Sequence, residues 1–500
     1  MGLGAGLGCS DNGSNNSSPP ADAGGGDVLA EAATTGVDAS SDAAADATTD
    51  AGGDAGNGDG GPSSEVIYAS SGAILGAFDL SLADGTLTPT STTTLGQIVQ
   101  FGWFDPALLH LYVGATTASS NYLYAYTVDP TSGLLTALGS PLLSPNGRVI
   151  NLTVSPDDKY LLSVHNVTET YSVFALNSDS TIGSLVPQLD GGDVDVGAYL
   201  HQVRVDPTGK YVTICDRGND PTTVTTDAGV TTVPEQVGHL HVFSFASGVL
   251  TPVQDIPFPS GVGPRHLDFH PTQPWVYLSA ERGNRLIMYT FEGGTLTEKY
   301  NVTSVANPAD STITNATEAV NGQRAGAIMV DPSGKYLWIT NRDNQVEPDP
   351  GPPSDAGADA AVTEAGSDAA GGEAGTGSHD AGADAAGDGG GGTDAAAPVS
   401  VFAGLGENNV ALFSIDQTTG APTFVAAWDT HGIEPRTFAV DPAHKYLIVG
   451  NQKQEMVRQG ATLSTILPNV AVFQIGADGQ LTFVKTYDQT SGEVVWVGSR

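Results

Sequence analysis

Reactive side chains are scarce in this 500-residue chain, which has 18 lysines and arginines, ten histidines and two cysteines. Arg265 and Arg436 each follow a proline and precede an apolar run. A guanidinium so placed can grip a carboxylate or phosphate through two parallel hydrogen bonds, or it can tie neighbouring strands together through carboxylates and carbonyls. Cys215 falls in the strand-like run YVTICD and reads as a buried, inert thiol rather than a nucleophile. Two cysteines make neither a disulfide framework nor a zinc cluster, and no metal site or cofactor is expected. Asp-rich runs such as DAGADAAGDGGGG lack the fixed spacing of oxygens around a glycine turn that calcium requires. No glycine-rich phosphate loop links a strand to a helix, and no nucleophile elbow is present.

The elements that must position any site occupy only part of the chain. Residues 1–64 hold ten acids and no Lys or Arg, and residues 345–398 hold eleven acids, again without a base, in an Ala/Gly/Ser/Thr background. Too few large apolar side chains are present in either to offset the entropy of ordering the backbone, so both are expected to be disordered. Setting them aside leaves 35 acids against 18 bases, and the net charge drops in magnitude from -38 to -17. Such a surface repels nucleic acid and anionic lipid. An anionic ligand would need a local cluster of arginines. No run of about 18 apolar residues exists, so the body does not span a membrane. Membrane attachment is expected only through Cys9, which follows MGLGAGLG and precedes a polar tether, similar to the end of a bacterial lipoprotein signal. Gly6 stands where that signal has a large aliphatic residue, and an incidental cysteine in a disordered tail is the alternative. The Asn-x-Thr sequons at Asn151, Asn166, Asn301 and Asn315 read as surface loops and carry little weight in a bacterial chain.

A repeat organises the remainder. Its unit is a turn of the form Asp-Pro-x-Gly-Lys-Tyr, a β-branched and aromatic run, a second apolar run ending in Phe, and a Gly-containing turn before Leu-Thr. The copies centre on Pro106, Pro156, Pro207, Pro271, Pro332 and Pro442, at intervals of 50, 51, 64, 61 and 110 residues. The last interval is one repeat plus the low-complexity insertion. Strand-length runs bounded by turn residues, with no sustained helical period, predict four-stranded sheets packed radially into a closed ring. The opening segment EVIYASSGAILGAFDLSLADGTLT reads as the second half of a further unit, which LTFVKTY and EVVWVGSR at the other end would complete, making seven blades. The expected fold is thus all-β: a tether over 1–64, then a seven-bladed β-propeller with four-stranded antiparallel blades over 65–500, interrupted at 345–398.

The segments HQVRVDPTGKY, GPRHLDFHP, SAERGNRLIMYTF, TNRDN, NNVALFSID and EPRTFAVDPAHKYLIVGNQ, in this order, resemble the lactonase family of seven-bladed propellers. That family includes a bacterial 6-phosphogluconolactonase and the fungal carboxymuconate cycloisomerases. The resemblance covers roughly Glu65 to Gln489, without the insertion, and implies a site of His, Arg and Glu on one face of the ring. Matched motif by motif, it implies His201, Glu281 and Arg265 as catalytic residues and Arg342, Arg436 and Asn451 as substrate-binding ones. A second histidine that commonly precedes the first is missing, since Tyr199 and Leu200 stand there. His266 and His270 are read as packing or turn residues.

Opening a lactone needs a water made nucleophilic, a site for the oxyanion, and an anchor for an acidic substrate. His201 and Glu281 are the base candidates implied by the resemblance, and the three arginines the anion-binding ones. The expected activity is hydrolysis of a sugar-acid lactone, with 6-phosphogluconolactone the family's best-known substrate, by a monomer without cofactor. The alternative is a cell-surface or periplasmic propeller that binds without catalysing, and a third reading is muconate cyclisation. A lipid-anchored protein would sit in the periplasm or at the cell surface, away from phosphorylated cytoplasmic metabolites, and would favour an unphosphorylated lactone; a cytoplasmic location is the other possibility.

Overall fold

Each Asp-Pro anchor is a tight turn whose side chain holds its own backbone. The Asp206 carboxylate accepts hydrogen bonds from the amides of Lys210 (2.8 Å) and Tyr211 (2.7 Å), and Asp441 does the same for Lys445 and Tyr446. The turn demands a left-handed residue, supplied by Gly209 and Gly334 at φ of 69° and 70°, whereas Leu108, Asp158 and His444 adopt that conformation without glycine's freedom. Every anchor joins the innermost strand of a sheet to the second strand.

A computed structural model describes residues 63–117, 120–192, 199–219, 221–226, 229–307, 322–343, 346–348, 401–403, 406–459 and 462–500. Cys9, Asn315 and nearly all of the expected tether and insertion lie outside them. The described chain forms a seven-bladed β-propeller with four-stranded antiparallel blades. The innermost strands of blades 2 to 7 are Ile98–Phe104, Val149–Val154, Leu200–Val205, Pro264–Phe269, Gln323–Val330 and Ile433–Val440. Blade 1 closes the ring: Ser64–Ser71, Ile74–Ser81 and Leu87–Thr94 come from the start of the described chain, and Val497–Ser499 adds the innermost strand from its end. The register pairs Ile67 with Ser499 and Ala69 with Val497. The opening segment therefore contributes three strands rather than half a blade, and LTFVKTY belongs to the outer strand of blade 7 (Leu481–Asp488). The expected boundary at residue 345 also shifts, because Val346–Pro348 is a strand paired with Val401–Ala403. Val and Phe at these flanks favour pairing over disorder. Two sequons expected on the surface are buried, at Asn151 and Asn166.

Packing is between blades. The described residues hold seven hydrophobic clusters, one for each pair of neighbouring blades, such as Leu162, Val164 and Val173 of blade 3 against Leu200, Val212 and Ile214 of blade 4. A second repeated device explains the glycine turns. A buried aromatic on the second strand donates to the carbonyl of the turn in the next blade: Tyr68 to Gly133 (2.6 Å), Tyr112 to Ser180 (2.8 Å), Tyr277 to Gly420 (2.8 Å) and Trp338 to Gly479 (3.1 Å). A side chain at Gly420, whose φ is 76°, would overlap Met288 and Trp275 beneath it. Tyr277→Phe, which strands that carbonyl in a buried interface, is expected to lower stability by about 1–2 kcal/mol in urea denaturation. An unchanged midpoint would mean that the latch contributes nothing.

Candidate active site

Six of the seven innermost strands carry a β-bulge at one position, six residues before the anchor proline. The register skips Gln100, Ile150, His201, Arg265, Gly326 with Ala327, and Arg436. A bulge re-aims the extra side chain out of the alternating pattern, and in four of the six that side chain is polar, Gln100, His201, Arg265 and Arg436, whereas Ile150 joins the core. Ten residues after the same prolines, at the end of the second strand, stand Thr116, Asn166, Arg217, Glu281, Arg342 and Gln452. Blades 4 to 7 thus place His201, Arg265 and Arg436 beside Arg217, Glu281 and Arg342.

Glu281 is the hub. Its Oε2 lies 2.8 Å from Arg265 Nε and 2.9 Å from Arg342 Nη2, and its Oε1 accepts from Arg217 Nη1 at 2.9 Å. Arg342 reaches on to Glu434 Oε1 at 3.1 Å. His201 Nε2 is 4.0 Å from Glu281 Oε2, and its ring packs edge-on against His266, with centroids 4.9 Å apart. Arg265 Nη1 faces His266 Nδ1 at 3.3 Å. The Arg217 guanidinium covers the Tyr199 ring at 4.2 Å. Tyr199 and Glu434 have φ of 76° and 57°, a conformation costly for any residue but glycine, and both flank this cluster.

Burial sets the protonation states. Burial alone would raise the Glu281 carboxyl, but Arg342, Arg217 and Arg265 outweigh it and hold it well below the usual carboxylate range. Burial, reinforced by Arg265, keeps the His201 imidazole neutral, well below its ordinary value, and His266 is depressed for the same reasons. Burial also lowers Arg265, yet a guanidinium's intrinsic basicity keeps it cationic. A carboxylate so committed to three guanidiniums is a weaker base than a free one. His201 retains a buried Nδ1 without a hydrogen-bond partner.

The other expected residues divide. Arg342 is 5% exposed, with its terminal nitrogens paired to Glu281 and Glu434. Asn451 is fully buried and donates to Thr430 O (2.9 Å) and Asn469 Oδ1 (2.8 Å) within blade 7. Asn341 repeats this arrangement in blade 6 with Ser304 and Asn409, which makes both asparagines parts of the framework. Arg436 is half-buried, has a single long bond of 3.4 Å to Gln452 Oε1, and lines a cavity of about 530 Å³. Gln100, Arg148, Thr116, Gln452 and Glu493 share that cavity, and Gln100 Oε1 accepts from Arg148 at 2.6 and 3.1 Å. Arg148, Arg217 and Glu434 are absent from the sequence-based candidates, and His266 belongs to the cluster rather than to packing alone. His270 does hold a turn, accepting from the amides of Thr272 and Gln273. Cys215 is buried, and burial pushes its thiol up. Among the described residues no group of His, Cys, Asp and Glu could hold a metal, and no helix is long and apolar enough to cross a membrane.

The neutral histidines predict acid lability. His165 and His241 are pushed down by burial to about 4, alongside His201 and His266. A histidine depressed in the fold contributes stability above its unfolded value near 6.5, and loses it as pH falls toward the folded value, up to roughly 3 kcal/mol for each of His165 and His241. Glu65, raised to about 7 by burial and by Asp441, acts in the opposite sense between 4.5 and 7. Burial also lowers His270 and raises Asp158 and Glu455, and the five depressed imidazoles outweigh the three raised carboxyls, so the urea midpoint should drop from pH 7 to pH 4.5. A flat profile would contradict the neutral assignments.

Comparison with known proteins gives a consistent picture. The family model described as lactonase, 7-bladed beta-propeller, matches residues 67–346 and 399–461. A 6-phosphogluconolactonase of Bacillus subtilis (strain 168) is 22% identical over 331 residues, 66% of this chain and 70% of that protein. One from Pectobacterium carotovorum is 28% identical over 261 residues, covering 52% and 68% of the two chains. Among solved structures, a putative 6-phosphogluconolactonase from Bacteroides uniformis superposes with a TM-score of 0.58 at 17% identity, over 88% of this chain and all of the other. A periplasmic gluconolactonase of Pseudomonas aeruginosa gives 0.58 at 17% identity, over 87% and 99%. At these identities the structural matches speak for the fold alone.

Proposed function

The chain belongs to the lactonase family of seven-bladed β-propellers, and on that footing we propose that it hydrolyses a sugar-acid lactone at the mouth lined by Arg436. The observation that carries this reading is a neutral imidazole, His201, whose Nε2 faces a carboxylate kept ionised by three guanidiniums while its Nδ1 has no partner. A water on Nδ1 would lose its proton to His201 as it attacks the lactone carbonyl, and the Glu281 charge would stabilise the imidazolium as it forms. Arg436, held by one long bond, turns onto the carbonyl oxygen, opens the way to His201 and takes up the oxyanion's charge, with Arg265 adding positive potential behind it. The ring C–O bond then breaks, and the imidazolium returns its proton to the leaving oxygen to release the hydroxy acid. Four guanidiniums, at 217, 265, 342 and 436, against two carboxylates, at 281 and 434, favour an anionic or electron-rich ligand within an otherwise acidic body.

The cavity of about 530 Å³ suits a monosaccharide lactone, with Arg148 the anchor for its polar end. The relatives' names support 6-phosphogluconolactone as one substrate, and the periplasmic gluconolactonase among the structural neighbours supports an unphosphorylated lactone and a location outside the cytoplasm. The test is a pH-stat assay of the full chain on glucono-δ-lactone and on its 6-phosphate. Arg148→Ala is expected to raise KM roughly tenfold to a hundredfold, the worth of one charge-assisted hydrogen bond, and Arg436→Ala to lower kcat by roughly a hundredfold to a thousandfold, the worth of one oxyanion donor. Exposures of only 3% for Glu281 and 1% for Arg265 favour a second reading, in which the cluster is a structural knot and the propeller only binds. Failure of the wild-type chain to open either lactone would decide for it.

A further inference from the structure

The same innermost strands that carry the bulged residues run on to the opposite mouth of the ring, where a second cavity of about 550 Å³ lies. Three residues before each anchor proline stand Trp103, Thr153, Arg204, Asp268, Met329 and Ala439, and all six line it. No residue of the proposed lactone site is among its lining. Six aromatic side chains stand on its lining: Phe101 stacks on Trp103 at 6.3 Å, Phe104 meets Trp496 at 6.3 Å, and Phe269 and Phe438 complete the set. The Arg204 guanidinium lies over the Trp103 ring at 4.5 Å and is neutralised by Asp268 at 2.6 Å, yet its Nε is buried without an acceptor. Asp105, the other charged residue on the lining, is tied to His110 Nδ1 at 2.9 Å.

The geometry points to a second ligand site at this mouth, for an uncharged molecule with a flat apolar ring and one hydrogen-bond acceptor. The ring gains by displacing water from Trp103, Phe101 and Phe438, and the acceptor meets the Arg204 guanidinium, which turns its buried Nε toward the ligand on binding. Charge sets the class. One guanidinium against two carboxylates leaves no surplus of positive charge to hold an anion, in contrast to the arginine-rich mouth across the ring.

The full chain is titrated with N-phenyl-1-naphthylamine, a neutral fluorescent ring probe, and with its anionic counterpart 1-anilinonaphthalene-8-sulfonate. The neutral probe is expected to saturate at one equivalent, with energy transfer from tryptophan that Trp103→Leu reduces, and to bind at least about tenfold more tightly than the sulfonate. Met329→Trp, which fills the cavity from a half-buried position, should weaken the probe by roughly tenfold or more while leaving lactone turnover as in the wild type. The site is refuted if the neutral probe shows no saturable binding, if it binds Met329→Trp and Trp103→Leu as it binds the wild type, or if the sulfonate binds equally well.

Discussion

Glu281→Gln is expected to cost the folded protein about 3–5 kcal/mol, because the change leaves Arg265 and Arg342 buried without their shared counter-charge. The amide is nearly isosteric, so shape is not the cause. Urea denaturation at pH 7 reads the loss directly. The pH dependence supplies a second check: a carboxyl depressed in the fold contributes stability above its unfolded value near 4.5 and loses it as pH falls below that. The difference between wild type and Glu281→Gln should therefore be largest at neutral pH and shrink below pH 4.5. A variant as stable as the wild type would mean that the three guanidiniums find other partners or water.

His201→Gln should lower kcat by roughly a hundredfold to ten-thousandfold with KM little changed, since the substituted amide keeps the volume but cannot take a proton. Its thermal stability should stay close to that of the wild type, because His201 is neutral and its Nδ1 has no bond to lose. The wild-type kcat should hold down to pH values well below 6.5 before the protonated imidazole ends turnover. Loss of KM alone would move His201 from the proton-transfer step to binding.

The ring is legible in the sequence because the Asp-Pro anchor repeats and because strand runs cannot bury both faces without neighbours. Closure is legible in EVVWVGSR, whose Val497–Ser499 completes blade 1, but not in LTFVKTY, which has strand character without any mark of which blade it joins. The site is only half legible. His201, Arg265, Glu281, Arg342 and Arg436 follow from motif resemblance, but His201, Arg265 and Arg436 meet the other two through bulges in their innermost strands, and a bulge leaves no trace in alternating hydrophobicity. Counting from the anchor prolines would have recovered more. Positions ten residues after them include Arg217 beside Glu281 and Arg342, and positions eight residues before them include Arg148, Tyr199, Arg324 and Glu434. The partners of Asn451 are not legible, since its hydrogen bonds go to Asn469 of another strand and to Thr430 in a turn. The environment of Glu281 is not legible either, because a carboxylate's basicity depends on its neighbours, and Arg217 is distant in sequence from the motif that contains Glu281.

A crystal structure of the full chain with gluconolactam, an analogue that the enzyme cannot open, bears most directly on the claim that lactone chemistry belongs to the Arg436 mouth. The expected result is the ring in the cavity between Arg148 and Arg436, with its carbonyl oxygen on the Arg436 guanidinium and one water joining the carbonyl carbon to His201 Nδ1. A lactam seated at the opposite mouth, or one on the outer wall with the Glu281 cluster still closed beneath Arg436, would contradict it.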